Sequence, residues 1–397
     1  MKGRRGLLLG LGATGLGAVA IAHHYKNQQN QFAKPLREER QQVRDFTVVG
    51  EATLQQRAAN KGIIYGAAAQ YKPLTTNTQF AQQFAQECAV LVPANELKWQ
   101  ALRPTPEQFD FSRSDWMAGF AQKHNMLFRG HTLVWYQALP KWFEEKVNRK
   151  NAEKILTEHI NTVVQRYAGS IYSWDVVNEA IVPNRTKQGL RQTPWLKLLG
   201  EDYIEMAFRT AAAADPQALL VYNDNNLEYD NAKTETKRAR VLKLLERLKS
   251  KGVPIHGLGI QSHLGASSRG FNAKRLRNFL KDVASLDLQI LITEMDVAEK
   301  KLIEVENRDA IIAGVYYDYL SVVLDEPAVN TVITWGLSDR YTWLANFAPR
   351  QDGAPVRPLP LDAQLQRKLA WNAIASAFDQ APPRPVKQIH SKLSITN

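Results

Sequence analysis

The sequence predicts a single-domain α/β fold of the (β/α)8 barrel type, and three observations carry that expectation. Eight short apolar runs alternate with longer amphipathic stretches from about Val48 onward, the pattern of a parallel sheet with a helix after each strand. Polar and aromatic residues recur at the C-terminal ends of those runs, where barrels of this type place their functional groups. The glycine-rich phosphate turn that an open, doubly wound sheet carries after its first strand is missing, which counts against that alternative.

In chain order, the predicted strands are Ile63 to Ala68, Cys88 to Pro93, Met126 to Trp135, Tyr172 to Glu179, Ala218 to Asp224, Gly257 to Leu264, Gln289 to Asp296 and Thr331 to Asp339. Between them the clearest helices are Asn151 to Tyr167, with Ile155, His159, Thr162 and Val163 at helical spacing, and Asp230 to Lys251, with Val241, Leu244, Leu245 and Leu248. Asp215-Pro216 and Lys251-Gly252 punctuate helix ends, and a last helix, Asp362 to Phe378, closes the ring. The catalytic domain is expected over residues 48–379, after a Gln-, Arg- and Glu-rich linker at 26–47 and before a Pro-rich tail at 380–397.

The N-terminus adds a targeting expectation. Lys2, Arg4 and Arg5 precede an apolar run from Gly6 to Ala22 that ends in Ala20-Ile21-Ala22. This reads as an export signal over residues 1–25, similar to the twin-arginine type, with an uncleaved membrane anchor as the alternative. Either way the protein is expected outside the cytoplasm, periplasmic or secreted.

Composition excludes several classes. The 397 residues are 44% hydrophobic and 23% charged, within the globular range. A single cysteine, Cys88, precludes an internal disulfide or a multi-cysteine zinc site, and beside apolar residues it reads as an inert core thiol. The net charge of +12 is scattered rather than blocked and no nucleic-acid motif accompanies it, so no nucleic-acid partner is expected.

The predicted strand ends narrow the chemistry. The third carries His131 and Trp135, the fourth Asn178 and Glu179, the fifth Asn223 and Asp224, the sixth Gln261 and His263, the seventh Glu294 and Asp296, and the eighth Trp335. Any one of these could be a satisfied core group, and a single His or Trp is so more often than not, but six sets at one mouth imply a site for something polar. Two carboxylates surrounded by Trp, Asn, Gln and His suit a sugar: carboxylates do the chemistry, indoles stack on pyranose rings and amides bind hydroxyls. No His-x-His or His-Glu-x-x-His spacing is present, so neither a metal nor a cofactor is expected. A Schiff-base aldolase would rest on Lys98 and leave both carboxylates surplus.

These residues also carry a family resemblance over roughly Leu54 to Phe378. Asn95-Glu96-Leu97-Lys98-Trp99, Gly130-His131-Thr132-Leu133-Val134-Trp135, Trp174-Asp175-Val176-Val177-Asn178-Glu179-Ala180, Gly259-Ile260-Gln261-Ser262-His263-Leu264, Ile292-Thr293-Glu294-Met295-Asp296, and Trp335 with Trp343 together resemble glycoside hydrolase family 10, the barrel xylanases. The resemblance implies a retaining endo-1,4-β-xylanase whose partner is the polysaccharide xylan. Glu179 is then the acid/base and Glu294 the nucleophile. Asn178 binds the sugar 2-OH, His263 held by Asp296 orients Glu294, and Gln261 assists. Asn95, Lys98, His131, Trp135, Trp335 and Trp343 grip the substrate.

Four positions depart from the family pattern. Ala94 replaces a glutamate, Ala138 a glutamine, Tyr136 a histidine and Asn225 a tyrosine. The resemblance places the first two in the subsite one sugar beyond the cleavage point on the non-reducing side, where losing two hydrogen-bonding side chains is expected to weaken binding by about 1–3 kcal/mol. Reduced activity on short unbranched xylo-oligosaccharides, or a preference for decorated chains, is the expected result. A sister specificity on another β-glycan and a non-catalytic sugar-binding protein remain the competing readings.

Overall fold

A computed structural model describes residues 44, 46–183, 189–266, 271–299 and 307–384. The predicted export segment and most of the linker lie outside the described residues. Among the described residues no helix is long and apolar enough to cross a membrane.

The strands are β1 (Ile64–Ala69), β2 (Val90–Pro93), β3 (Leu127–Val134), β4 (Ser173–Asn178), β5 (Leu219–Asp224), β6 (Gly257–Ile260), β7 (His263–Gly265), β8 (Gln289–Ala298) and β9 (Val329–Thr334). Parallel pairing runs β6-β5-β4-β3-β2-β1-β9-β8, and a further β6–β8 ladder closes eight of these strands into a barrel. β1 to β4 and β6 are buried at every position, the continuous apolar pattern of strands covered on both faces. The long helices Ala152–Arg166 and Ala232–Ser250 fall where their periodicity placed them.

Most boundaries shift by a residue or two, and three differ by more, each for a local reason. The predicted sixth strand breaks into β6 and β7, because Ser262 takes a left-handed backbone with φ of 61° that cannot continue a ladder. The eighth ends at Thr334, since Gly336 turns the chain at φ of 123°, a conformation only glycine adopts readily. The last helix starts at Leu369 rather than Asp362. There the Asp362 carboxylate accepts the amides of Gln364 and Gln366 (2.9 and 2.8 Å), which holds 362–366 as a turn.

Buried polar groups fasten the ring. Glu87, fully buried, accepts the Leu54 amide (2.8 Å), the Trp371 indole (3.1 Å) and the Arg367 guanidinium (3.0 Å), tying the first and last helices together. Beneath the site a Cβ on Gly130 would stand 2.0 Å from the Trp174 ring, so only glycine permits that strand contact. Ala381 and Arg384, at the start of the Pro-rich segment, are buried, with Arg384 donating to the carbonyls of Leu324 (2.8 Å) and Val329 (3.0 Å).

Candidate active site

The two carboxylates predicted to do the chemistry sit at the same mouth of the barrel, just past β4 and on β8, and one hydrogen-bonded chain links them. Gln261 donates Nε2 to Glu179 Oε1 (3.0 Å) and to Asn178 Oδ1 (3.2 Å). Asn223 donates Nδ2 to the same Asn178 oxygen (2.9 Å) and to Glu294 Oε1 (2.7 Å), while Thr293 fixes the Asn223 amide by donating to its oxygen (2.7 Å). With its oxygen doubly engaged, Asn178 keeps an NH2 group that makes no hydrogen bond among the described residues and can donate to a substrate hydroxyl.

Glu294 is held as an anion. Burial pushes its carboxyl up, but the charge at His131, the hydrogen bond and charge of His263, and the Asn223 hydrogen bond together bring it down to about 2. His263 bridges Asp296 Oδ1 through Nδ1 (2.9 Å) and Glu294 Oε2 through Nε2 (3.2 Å). Burial opposes its charged form, yet these two carboxylates raise it well above the ordinary histidine value. Asp296 also accepts the Trp343 indole (2.7 Å), so β8 and the Trp343 loop share one anchor. Asp175, paired with Arg129, accepts from His131 Nδ1 (3.0 Å) and orients that ring.

Glu179 lies just past β4 with φ of 58°, a left-handed backbone that costs a non-glycine residue about 1–3 kcal/mol. Its amide donates to Asn223 O (2.8 Å) and its carbonyl accepts Arg191 Nε (2.8 Å), which hold it there. Arg191 also reaches Glu179 Oε2 at 3.7 Å and stacks on the Tyr136 ring at 4.5 Å. Tyr136 in turn faces Glu179; burial first, then the Glu179 charge, pushes its phenol up.

The remaining predicted residues form the walls. Lys98 donates to Asn95 Oδ1 (3.1 Å) and lies 5.3 Å over the Trp135 ring. Burial lowers the Lys98 ammonium, with Glu294, Glu96 and Glu179 acting in the opposite direction. Trp335 packs edge-on to His131 at 5.2 Å, and Trp343 packs at 5.2 Å from His263. All twelve predicted site residues therefore meet at one mouth. Among the described residues, no group of three or more His, Cys, Asp or Glu is placed to hold a metal ion.

Sequence reasoning assigns no individual role to Asn223, Arg191 or Asp175. Asn223 was visible as a polar strand end, but its position between both carboxylates is a tertiary fact. Arg191 comes from the loop after β4 and carried no strand-end signature.

The pattern described as Glycosyl hydrolase family 10 matches residues 53–377. The chain belongs to glycosyl hydrolase family 10. Among curated relatives, the β-1,4-xylanase of Dictyoglomus thermophilum is 38% identical over 290 residues, covering 71% of this chain and 79% of that protein. Endo-1,4-β-xylanase B of Thermotoga neapolitana is 35% identical over 289 residues, covering 72% and 81%. Among solved structures, xylanase 10B of Thermotoga petrophila RKU-1 in complex with xylobiose aligns with a TM-score of 0.76 at 32% identity, over 84% of this chain and 99% of that one.

In this family 10 chain the departures other than Tyr136 fall in three different surroundings. Ala94 lines a pocket with Trp335 and Trp343. Ala138, with φ of 52°, instead uses its carbonyl to accept the Gln100 amide (2.9 Å). Asn225 accepts Lys237 Nζ (2.8 Å), whose main partner is the fully buried Asp224 (2.6 Å).

Proposed function

We propose that this family 10 chain is an exported, retaining endo-1,4-β-xylanase. The observation that carries the reading is the pair of carboxylates joined through Gln261, Asn178 and Asn223, with Glu294 held ionised and oriented at both oxygens. In the first step Glu294 attacks the anomeric carbon while Glu179 gives its proton to the departing glycosidic oxygen, leaving a glycosyl ester on Glu294. In the second, Glu179 takes a proton from water as that water attacks the same carbon, and Glu294 leaves as carboxylate. Two inversions give net retention.

The Asn178 NH2 meets the 2-OH of the sugar being cleaved, where a hydrogen bond strengthens as positive charge builds on the ring. His263 and His131 keep Glu294 charged before attack. Trp335, Trp343 and Trp135 supply flat faces for pyranose rings, and Lys98 with Asn95 supplies donors for hydroxyls. Xylan as substrate is supported by the names of the relatives and by the xylobiose bound in the Thermotoga petrophila neighbour. The basic head and apolar run of residues 2–22 support export.

Reducing-sugar release from glucuronoxylan, arabinoxylan, carboxymethylcellulose and mannan tests this reading, with Glu294→Ala alongside. Release from the xylans alone, abolished in the variant, is expected. Release from another glucan would move the specificity, and release from none would point to a sugar-binding protein.

A further inference from the structure

The pocket beside Ala94 stands at the edge of the site and is not used by the mechanism above. Its cavity volume is about 30 Å³, it opens to solvent, and it shares the indoles of Trp335 and Trp343 with the sugar-binding cleft. Its other walls include Ala68, Pro73, Phe80, Ala94 and Leu337. No charged side chain lines it. Of its polar side chains, Tyr341 already accepts from Asn77 Nδ2 (2.8 Å) and the Trp343 indole already donates to Asp296 (2.7 Å), while the exposed Gln70 and the Trp335 indole make no hydrogen bond among the described residues.

The surroundings define what fits. The nearest carboxylate along the chain is Glu96, which accepts the amides of Tyr71 (2.7 Å) and Asn95 (3.1 Å), the neighbours of Gln70 and Ala94. An anionic uronic-acid branch would meet an apolar wall, with no cation lining the pocket to receive it. A pentose branch would bring several hydroxyls to a wall offering only one open amide and one indole N–H. A small neutral group with one carbonyl and one methyl meets every condition: the methyl against Ala68, Phe80 and Ala94, the carbonyl accepting from Gln70.

We propose that this pocket seats the O-acetyl group of an acetylated xylosyl unit bound one sugar beyond the cleavage point on the non-reducing side. The proposal rests on the xylanase reading and names the form of xylan the cleft prefers. Alanine at position 94 then makes room for a substituent where a longer side chain would occupy the space. Burying a methyl-sized group contributes about fourfold in affinity, and a hydrogen bond from Gln70 brings the preference to about tenfold.

The test compares kcat/KM on acetylated xylo-oligosaccharides and on the same material after alkaline deacetylation, with tandem mass spectrometry locating acetyl groups in the products. The wild-type protein is expected to favour the acetylated form about tenfold and to leave acetyl on the unit next to the new reducing end. Ala94→Glu is expected to reverse the ratio. Products that never carry acetyl at that position, from an enzyme that cleaves the deacetylated chains, would overturn the pocket assignment and leave the xylanase reading standing. Inactivity on both substrates would overturn the two together. The product map needs only the wild-type protein, so a misfolded variant would not shield the proposal.

Discussion

Replacing His263 with alanine removes two of the contributions that keep Glu294 charged, its hydrogen bond (3.2 Å) and its positive charge. The depression of Glu294 from 4.5 to about 2 is worth about 3 kcal/mol in favour of the anion, at 1.36 kcal/mol for each tenfold change in proton affinity. Without His263, only His131 and Asn223 remain against the penalty of burial. The acid limb of the kcat/KM profile, which reports the free nucleophile, is expected to rise by at least about one pH unit, towards the ordinary glutamate range. Loss of a charge-assisted hydrogen bond, about 1.5–3 kcal/mol, lowers kcat/KM at the optimum by roughly 10- to 150-fold. The assay is steady-state hydrolysis of an aryl β-xylobioside from pH 3 to 9, with folding checked by circular dichroism at each pH. An acid limb that stays where the wild-type limb lies would refute the argument that His263 sustains the anion.

Other consequences follow from the same geometry. Because the folded Glu294 carboxyl is depressed, its contribution to stability is complete above its ordinary value near 4.5 and is lost as pH falls towards about 2; His263, being raised, contributes fully below its ordinary 6.5 and loses that contribution as pH climbs through its higher folded value. Urea melts should therefore show the Glu294→Gln variant losing part of the wild-type protein's acid sensitivity between those two lower values. Glu179→Gln should reduce hydrolysis of xylan by about 10²- to 10⁴-fold, yet spare the first step on an aryl glycoside whose leaving group needs no proton; equal losses on both substrates would remove Glu179 from the acid role. Lys237→Met removes the cation paired with the fully buried Asp224, leaving that carboxylate only the neutral donors Tyr222, Asn225 and Ile181, and should destabilise the fold by about 3 kcal/mol in urea melts, whereas a change under about 1 kcal/mol would show that the pair is not needed.

The barrel was legible because its strands are apolar runs buried on both faces, separated by amphipathic helices, and that periodicity is local. Glu179, Glu294, His263 and Asp296 were legible for a related reason: they end or follow strands, and strand ends converge in a barrel. Features set by backbone shape were not. The break at Ser262 and the turn at Gly336 depend on positive φ angles that no apolar pattern records. The turn at 362–366 depends on a single carboxylate capping two amides. Asn223 could be placed at the mouth, but not between Asn178 and Glu294, because that requires the relative tilt of three strands. Arg191 lies in a loop, and only the folded chain brings it back over Tyr136 and Glu179.

The central claim is that Glu294 becomes covalently bonded to the sugar. A 2-deoxy-2-fluoro xylobioside with an activated leaving group slows breakdown of such an ester enough to capture it. After proteolysis, mass spectrometry should find the fluorosugar on the peptide containing Glu294, and proton NMR of the natural reaction should show the β-anomer released first. A label on another residue, or an unlabelled protein that releases the α-anomer first, would contradict the account.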